Sequence, residues 1–351
     1  MNKADSERIA AGLEARGYSR VLKMDEADLI VINTCSVRQA SEDKVYGFAP
    51  KALKLKIKNS KLKIVLTGCM VGSATGERRR IKLTELKRRM PWVDEFAEIE
   101  ELAQEIPQKY KIKEPALVPV MRGCDQFCTY CVVPYGRGPV RSRPMEEIIE
   151  EIRCLVDKGV RWIMLLGQSI NDYGREISNV KTQNSNPQLK SKNLFVELLR
   201  KIHNISGLKR ISLLSFNPWN FPDELIEVLA LPKFERYIHL PVQSGDNKIL
   251  KKMNRPYTVE EYKKLVKKIR KKIPGVRTGT DAIVGFPGET EKQFQNTVKL
   301  FKELKFDQAF IAMYSERPGT AAAKLYPDDV PLSEKKRRHQ ILMRVWKGNS
   351  I

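Results

Sequence analysis

The chain has 351 residues, 42% of them hydrophobic and 8% aromatic, and its 64 Lys and Arg outweigh 42 Asp and Glu to give a net charge of +22. That length can bury a large core and suggests about two domains, while no stretch approaches the ~18 uninterrupted apolar residues of a membrane span. So large a positive excess goes beyond what solubility needs and points to a polyanionic partner, nucleic acid first.

At the N-terminus, MNKADSERIAAGLEARGY carries acidic residues and lacks an apolar core, so it does not read as a signal peptide and a cytoplasmic location is expected. Thiols stay reduced there, and clustered cysteines then mean a metal or catalysis more often than a disulfide. LIVIN (29–33) and KIVLTG (63–68) are β-branched runs bounded by turn residues, as buried parallel strands are. The segment between them reads as helix with a break at Pro50, so strand and helix alternate as in an open α/β sheet. Cys35 and Cys69 follow these strands, where such sheets place ligands; the plain alternative is two small buried hydrophobes. The basic runs at 51–63, 78–89, 263–272 and 335–338 each suit a solvated helix face, although their total favours a polyanion.

Residues 108–115 read as a charged, proline-flanked linker, after which the pattern restarts on a larger scale. Six strands are predicted, at 116–121, 162–167, 210–215, 236–243, 278–286 and 307–315, separated by helices. In one of these, Ile148, Ile149, Ile152, Leu155 and Val156 form a single apolar stripe. Repeated βα units imply a partial (β/α)6 barrel over 116–345 with its site at the C-terminal ends of the strands. Residues 178–193 have no apolar period and read as an exposed loop.

The loop GCDQFCTYC (123–131) follows the first barrel strand and holds Cys124, Cys128 and Cys131, half of the six cysteines. Three thiolates can hold three irons of a cubane cluster and leave the fourth open to a substrate. A structural zinc site normally uses two pairs of ligands, and His203, His239 and His339 supply no second pair here. The spacing also differs from a bacterial ferredoxin run. A metal-stabilised nucleic-acid-binding protein without catalysis remains an alternative.

C-x3-C-x2-C after the first strand of a βα barrel resembles the radical S-adenosylmethionine (SAM) enzymes. NTCSVR (33–38), TGCM (67–70), GCDQFCTYCVVPYGRGPVRSRP (123–144), LLGQSINDYG (165–174), HLPVQSGDNKILKKMNRPYT (239–258), DAIVGFPGET (281–290) and YSERPGT (314–320) are together similar to the methylthiotransferases, over nearly the whole chain. Within that group LLGQSINDYG and KMNRPYT most resemble the enzymes that act on N6-isopentenyladenosine next to the tRNA anticodon. A relative acting on threonylcarbamoyl-adenosine is the alternative.

The resemblance implies a transferase with two [4Fe-4S] clusters. Cys124, Cys128 and Cys131 would hold the one that binds SAM and splits it to a 5′-deoxyadenosyl radical, with Tyr130 packing on the adenine. Gln168, Ser215 and Gln243 end barrel strands and could reach the cofactor, loop capping being their plain alternative. Cys35 and Cys69 would belong to a sulfur-donating cluster in an N-terminal domain, residues 1–107. Its third cysteine is expected just before the sequence that begins MNKADSERI, and with it the first strand of that domain. The family's C-terminal RNA-binding β-barrel is likewise not recognised after WKGNSI. The arginines of RGPVRSRP suit tRNA phosphates. Further expectations are an electron-donor protein such as a flavodoxin or ferredoxin, a monomeric state and no membrane. Cys154 reads as a buried structural thiol, His239 as a satisfied core histidine, and Gly285 and Gly288 as a tight turn near the cofactor.

Overall fold

The computed structural model describes residues 1–103, 114–176 and 193–348. Residues 178–192 of the predicted loop and 108–113 of the predicted linker fall outside those residues.

Three parallel strands, β1 (Leu29–Thr34), β2 (Lys63–Gly68) and β3 (Glu95–Phe96), form the N-terminal sheet in that order. Helices α1 (Asn2–Ala15), α2 (Gln39–Tyr46), α3 (Ala49–Lys58), α4 (Cys69–Thr75), α5 (Leu83–Arg89) and α6 (Ile99–Leu102) surround it. Pro50 does not break a helix but opens one. The chain turns at Gly47 and Phe48, and proline occupies the first turn of α3, where its missing N–H costs no bond. Ile64, Leu66, Met70, Leu86 and Met90 fill this sheet's core.

Strands β4 (Ala116–Pro119), β7 (Trp162–Leu166) and β8 (Arg210–Leu213) pair in parallel, as do β9 (Tyr237–His239), β10 (Arg277–Val284) and β11 (Gln308–Met313). An isolated bridge from Ile211 on β8 to Phe234, just before β9, links the two three-stranded sheets side by side in the predicted partial barrel. Helices α8 (Met145–Asp157), α9 (Leu194–His203), α10 (Asp223–Leu229), α11 (Asn247–Lys252), α12 (Val259–Lys272), α13 (Glu291–Leu304), α14 (Ala321–Leu325) and α15 (Leu332–Gly348) follow the strands, after a short α7 (Val133–Gly136) in the first connection. The barrel core buries Val118, Ile163, Leu165, Ile211 and Val284 against the helices.

The first predicted barrel strand ends earlier than its apolar run. Beyond Val120, β5 (Met121–Arg122) pairs antiparallel with β6 (Arg141–Ser142), closing the ends of the cysteine-bearing excursion. Cys154 corrects the sequence reading: it is exposed, because the stripe of Ile148, Ile149, Ile152, Leu155 and Val156 points the other way on α8.

Two of the contacts between the N-terminal sheet and the barrel show how closely they dock. Arg317, after β11, is buried and reaches Glu42 at 2.7 Å, Gln39 Oε1 at 2.7 Å and the Ser36 carbonyl at 2.7 Å, while Arg80 donates to Pro318 O at 2.6 Å. At the second, α4 lies directly on α7. A Cβ on Gly72 would stand 2.4 Å from the Gly136 carbonyl oxygen, so only glycine permits this approach. Gly72→Ala is expected to force the two helices apart and to lower stability by about 1–3 kcal/mol, the usual cost of overpacking. Urea unfolding checks it, and an unchanged midpoint would refute the contact.

Candidate active site

The thiol loop is irregular backbone packed against the mouth of the barrel, so its polar groups need named partners. Cys124 N donates to Gly138 O at 3.1 Å, and Arg78 donates to Cys124 O at 3.2 Å. Asn254 Nδ2 donates to the carbonyls of Gln126 and Phe127 at 3.2 and 3.1 Å. Thr129 N reaches Met253 O, Thr129 O accepts from Ala322 N, and Cys131 N closes a turn on Cys128 O. Loop, α11, α14 and the N-terminal segment at Arg78 are thereby locked together.

Two thiols receive direct hydrogen bonds. Val133 N lies 3.4 Å from Cys131 Sγ, and Arg255 Nη1 lies 3.4 Å from Cys128 Sγ. The Arg255 guanidinium is itself held over the rings of Trp219 and Tyr257, with Nη2 donating to Pro241 O at 2.8 Å. Burial pushes the Cys124 thiol up to about 12, with Cys128 adding to it, and raises Cys131 in the same way. Such thiols ionise only against bound positive charge, which coordinating iron supplies.

Among the described residues no three His, Cys, Asp or Glu side chains gather closely enough to hold one metal ion. A tetrahedral ion would draw its thiolates in to about 2.3 Å. A cube that gives each cysteine its own iron asks for wider spacing, and three thiols on one loop, two of them met by N–H donors, fit that group.

Around the thiols stand the other predicted contacts. The half-buried Tyr130 ring packs with Ile249, Met253, Phe286 and Tyr314. Gln168 follows β7, and its Oε1 is buried without a hydrogen-bond partner, an acceptor left open to a ligand. Ser215 and Gln243 both take left-handed backbone, φ 68° and 70°, as do Phe127 and Asn254. Strained non-glycine residues cost about 1–3 kcal/mol each and collect at functional sites; four of the five among the described residues ring this mouth. Gly285 and Gly288 also have positive φ, and the space a Cβ would need is taken by Lys335 and Lys252.

Sequence reasoning missed the support beneath the loop. The buried Asp172 Oδ2 accepts from Gln126 Nε2 at 2.9 Å, Ser169 Oγ at 2.7 Å and Asn217 Nδ2 at 2.9 Å, and Oδ1 accepts from Asn220 at 3.1 Å. Asn171 donates to Asn217 O at 3.0 Å. The polar string QSINDYG, too hydrophilic for an ordinary buried turn, was the available signal.

Cys35 and Cys69 come together because β1 and β2 run in register, Thr34 beside Gly68. Arg137 Nε donates to Cys69 Sγ at 3.2 Å and Nη1 pairs with buried Asp5 at 2.6 Å. Burial opposes the Arg137 charge, but Cys69 and Asp5 outweigh it and hold the guanidinium protonated. The Met1 amino group lies in the same field, lowered by burial while Asp5 opposes. Two thiols do not complete a three-cysteine set. The RGPVRSRP arginines are all paired with carboxylates: Arg137 with Asp5, Arg141 with Glu77 and Arg143 with Glu151. A cleft of about 550 Å³ beside Arg137 and Arg141 lies between the sheet and hairpin, apart from the three-thiol loop.

Residues 118–301 match the family model described as the radical SAM superfamily, and residues 1–90 match uncharacterized protein family UPF0004. A protein of Thermotoga petrophila named tRNA-2-methylthio-N(6)-dimethylallyladenosine synthase is 41% identical, over 99% of this chain and 79% of its own length. The chain belongs to the radical SAM methylthiotransferases. A Clostridium botulinum relative of the same name is also 41% identical, over 98% of this chain and 79% of its own. Among solved structures, the radical SAM methyltransferase TsrM of Kitasatospora setae shares the fold with a TM-score of 0.61 at 15% identity, covering 91% of this chain and 72% of that one. Membership of the family makes the chain a transferase and implies a [4Fe-4S] cluster and SAM. No helix among the described residues is long and apolar enough to cross a membrane.

Cys128→Ala and Cys131→Ala are each expected to abolish most iron retention after anaerobic reconstitution, whereas Cys154→Ser should leave it unchanged. Iron and sulfide per chain, with the absorption near the visible charge-transfer band, give the readout.

Proposed function

We propose that this chain adds a methylthio group to C2 of N6-isopentenyladenosine beside the anticodon of tRNA. The observation that carries this reading is 41% identity along 99% of the chain to relatives bearing that name. The net charge of +22 agrees with a tRNA partner.

In this reading Cys124, Cys128 and Cys131 hold the cluster, which together with SAM supplies radical chemistry at an unactivated ring carbon. The chain's own residues bind and orient. Arg255 and the Val133 N–H stabilise thiolate charge at Cys128 and Cys131. Tyr130 would offer a ring to the adenine of SAM, and Gln168, Ser215 and Gln243 would supply polar groups to the same cofactor. Asp172, through Gln126, keeps the loop from drifting. Cys35 and Cys69 are assigned to a second, sulfur-donating cluster, for which they supply two thiolates. Residues 1–107 would form that cluster's domain and 116–345 the SAM barrel. A cytoplasmic monomer reduced by a flavodoxin or ferredoxin completes the proposal.

The test is anaerobic reconstitution, reduction and incubation with SAM and tRNA carrying N6-isopentenyladenosine, followed by nucleoside mass spectrometry. Expected products are 5′-deoxyadenosine and the 2-methylthio nucleoside. Methylthiolation of threonylcarbamoyl-adenosine instead would reassign the substrate. SAM cleavage with unchanged RNA would remove the sulfur transfer, and tight zinc binding without SAM turnover would overturn the enzyme.

A further inference from the structure

The inward face of the last three barrel strands carries a polar and aromatic group that none of the roles above uses. On β10 the side chains of Thr280, Ala282 and Val284 are buried toward the helices, so Gly279, Asp281 and Ile283 alternate into the lumen. Ile283 borders the Tyr130 cluster, which places Asp281 one layer deeper than the proposed cofactor. His239 Nε2 lies 2.9 Å from Asp281 Oδ1, and its Nδ1 lies 2.9 Å from the Tyr237 hydroxyl. Gly279 makes room for this chain, since a Cβ there would stand 2.1 Å from the Tyr237 oxygen and 2.5 Å from His239 Nδ1.

The direction of the hydrogen bonds follows. Burial, and then the charge of Asp281, pushes the Tyr237 hydroxyl up to about 12, so it keeps its proton and donates to Nδ1. The other ring nitrogen then carries the hydrogen and donates to Asp281. The carboxylate is fixed in orientation yet its side chain remains 37% exposed. Opposite Asp281 in the parallel register is Phe310, 48% exposed on the same face and 5.7 Å from the His239 ring. An exposed phenyl ring beside an oriented acceptor, inside a barrel, is a recognition surface rather than a packing solution.

We propose that Asp281, oriented by His239 and Tyr237, accepts the N6–H of the substrate base while Phe310 packs against its apolar N6 substituent. This rests on the function proposed above and deepens it. An N6-alkylated adenine keeps one N–H beside a greasy group, and the two side chains match those two features. Asp281 and Phe310 are binding residues, and His239 and Tyr237 position the first.

The experiment uses the reconstituted chain with SAM and anticodon stem-loop RNAs, measuring affinity by fluorescence anisotropy. One RNA carries N6-isopentenyladenosine, a second carries the same base methylated at N6 so that no N–H remains, and a third carries plain adenosine. The wild type is expected to favour the first over the second by about 10- to 100-fold, the range for a hydrogen bond to a charged group. Asp281→Ala should erase that preference, and Asp281→Asn, which keeps an acceptor, should restore part of it. Phe310→Ala, a change at an exposed position, should bring the first RNA down to the level of the third. Melting midpoints control for folding. A wild type that binds the first two RNAs equally, or an Asp281→Ala variant that still separates them, overturns the subsite alone. A wild type that binds none of the three overturns the functional reading as well.

Discussion

An irregular loop packed into the mouth of a barrel must have its backbone groups met one by one, and that requirement governs how this molecule is put together. The residues between Gly123 and Cys131 have no ladder of their own. Their carbonyls and N–H groups are taken up by Gly138, Arg78, Asn254, Met253 and Ala322, drawn from the N-terminal sheet, the hairpin and two barrel connections. The thiols inherit their positions from these partners, and so the two halves of the chain cannot be arranged independently of the loop they share.

The same logic explains where charge is buried. Glu42 receives Arg317 at one contact between the halves, and Asp5 receives Arg137 at another. Removing one partner from such a pair leaves an uncompensated buried charge, which is strongly destabilising, so both contacts favour a single docking geometry. Arg137 adds a link of another kind, because the guanidinium that anchors α1 also touches the Cys69 sulfur. Two groups of cysteines far apart in sequence are thus joined through the five residues between Cys131 and Arg137.

Much of this was legible in the sequence, for physical reasons that differ by residue. The three loop cysteines are separated by three and two residues, and proximity along the chain guarantees proximity in space. Gln168, Ser215 and Gln243 follow apolar runs long enough to identify as strands, so their place at the mouth could be read. Asp172 could not be assigned a role in the same way: the polar string around it marks an unusual turn, but its partners Asn217 and Asn220 lie more than forty positions away and cannot be named from it. Strands β5 and β6 have two residues each, too few to show alternation. Cys154 was misread although its signal was present, since it falls off the apolar stripe of α8. The arginines of RGPVRSRP show that residue type does not reveal the counter-ion: each found a carboxylate within the fold.

The left-handed backbone at Ser215 and Gln243 limits which amino acids those two positions can accept. A β-branched side chain such as valine or isoleucine would clash with its own peptide there, whereas asparagine or glycine would not. Glycine would relax the conformation and leave a sturdier barrel, but one with nothing at its rim to touch a guest. With the cofactor contacts proposed for these two residues, durability and recognition pull in opposite directions, and the native choice forgoes some of the former.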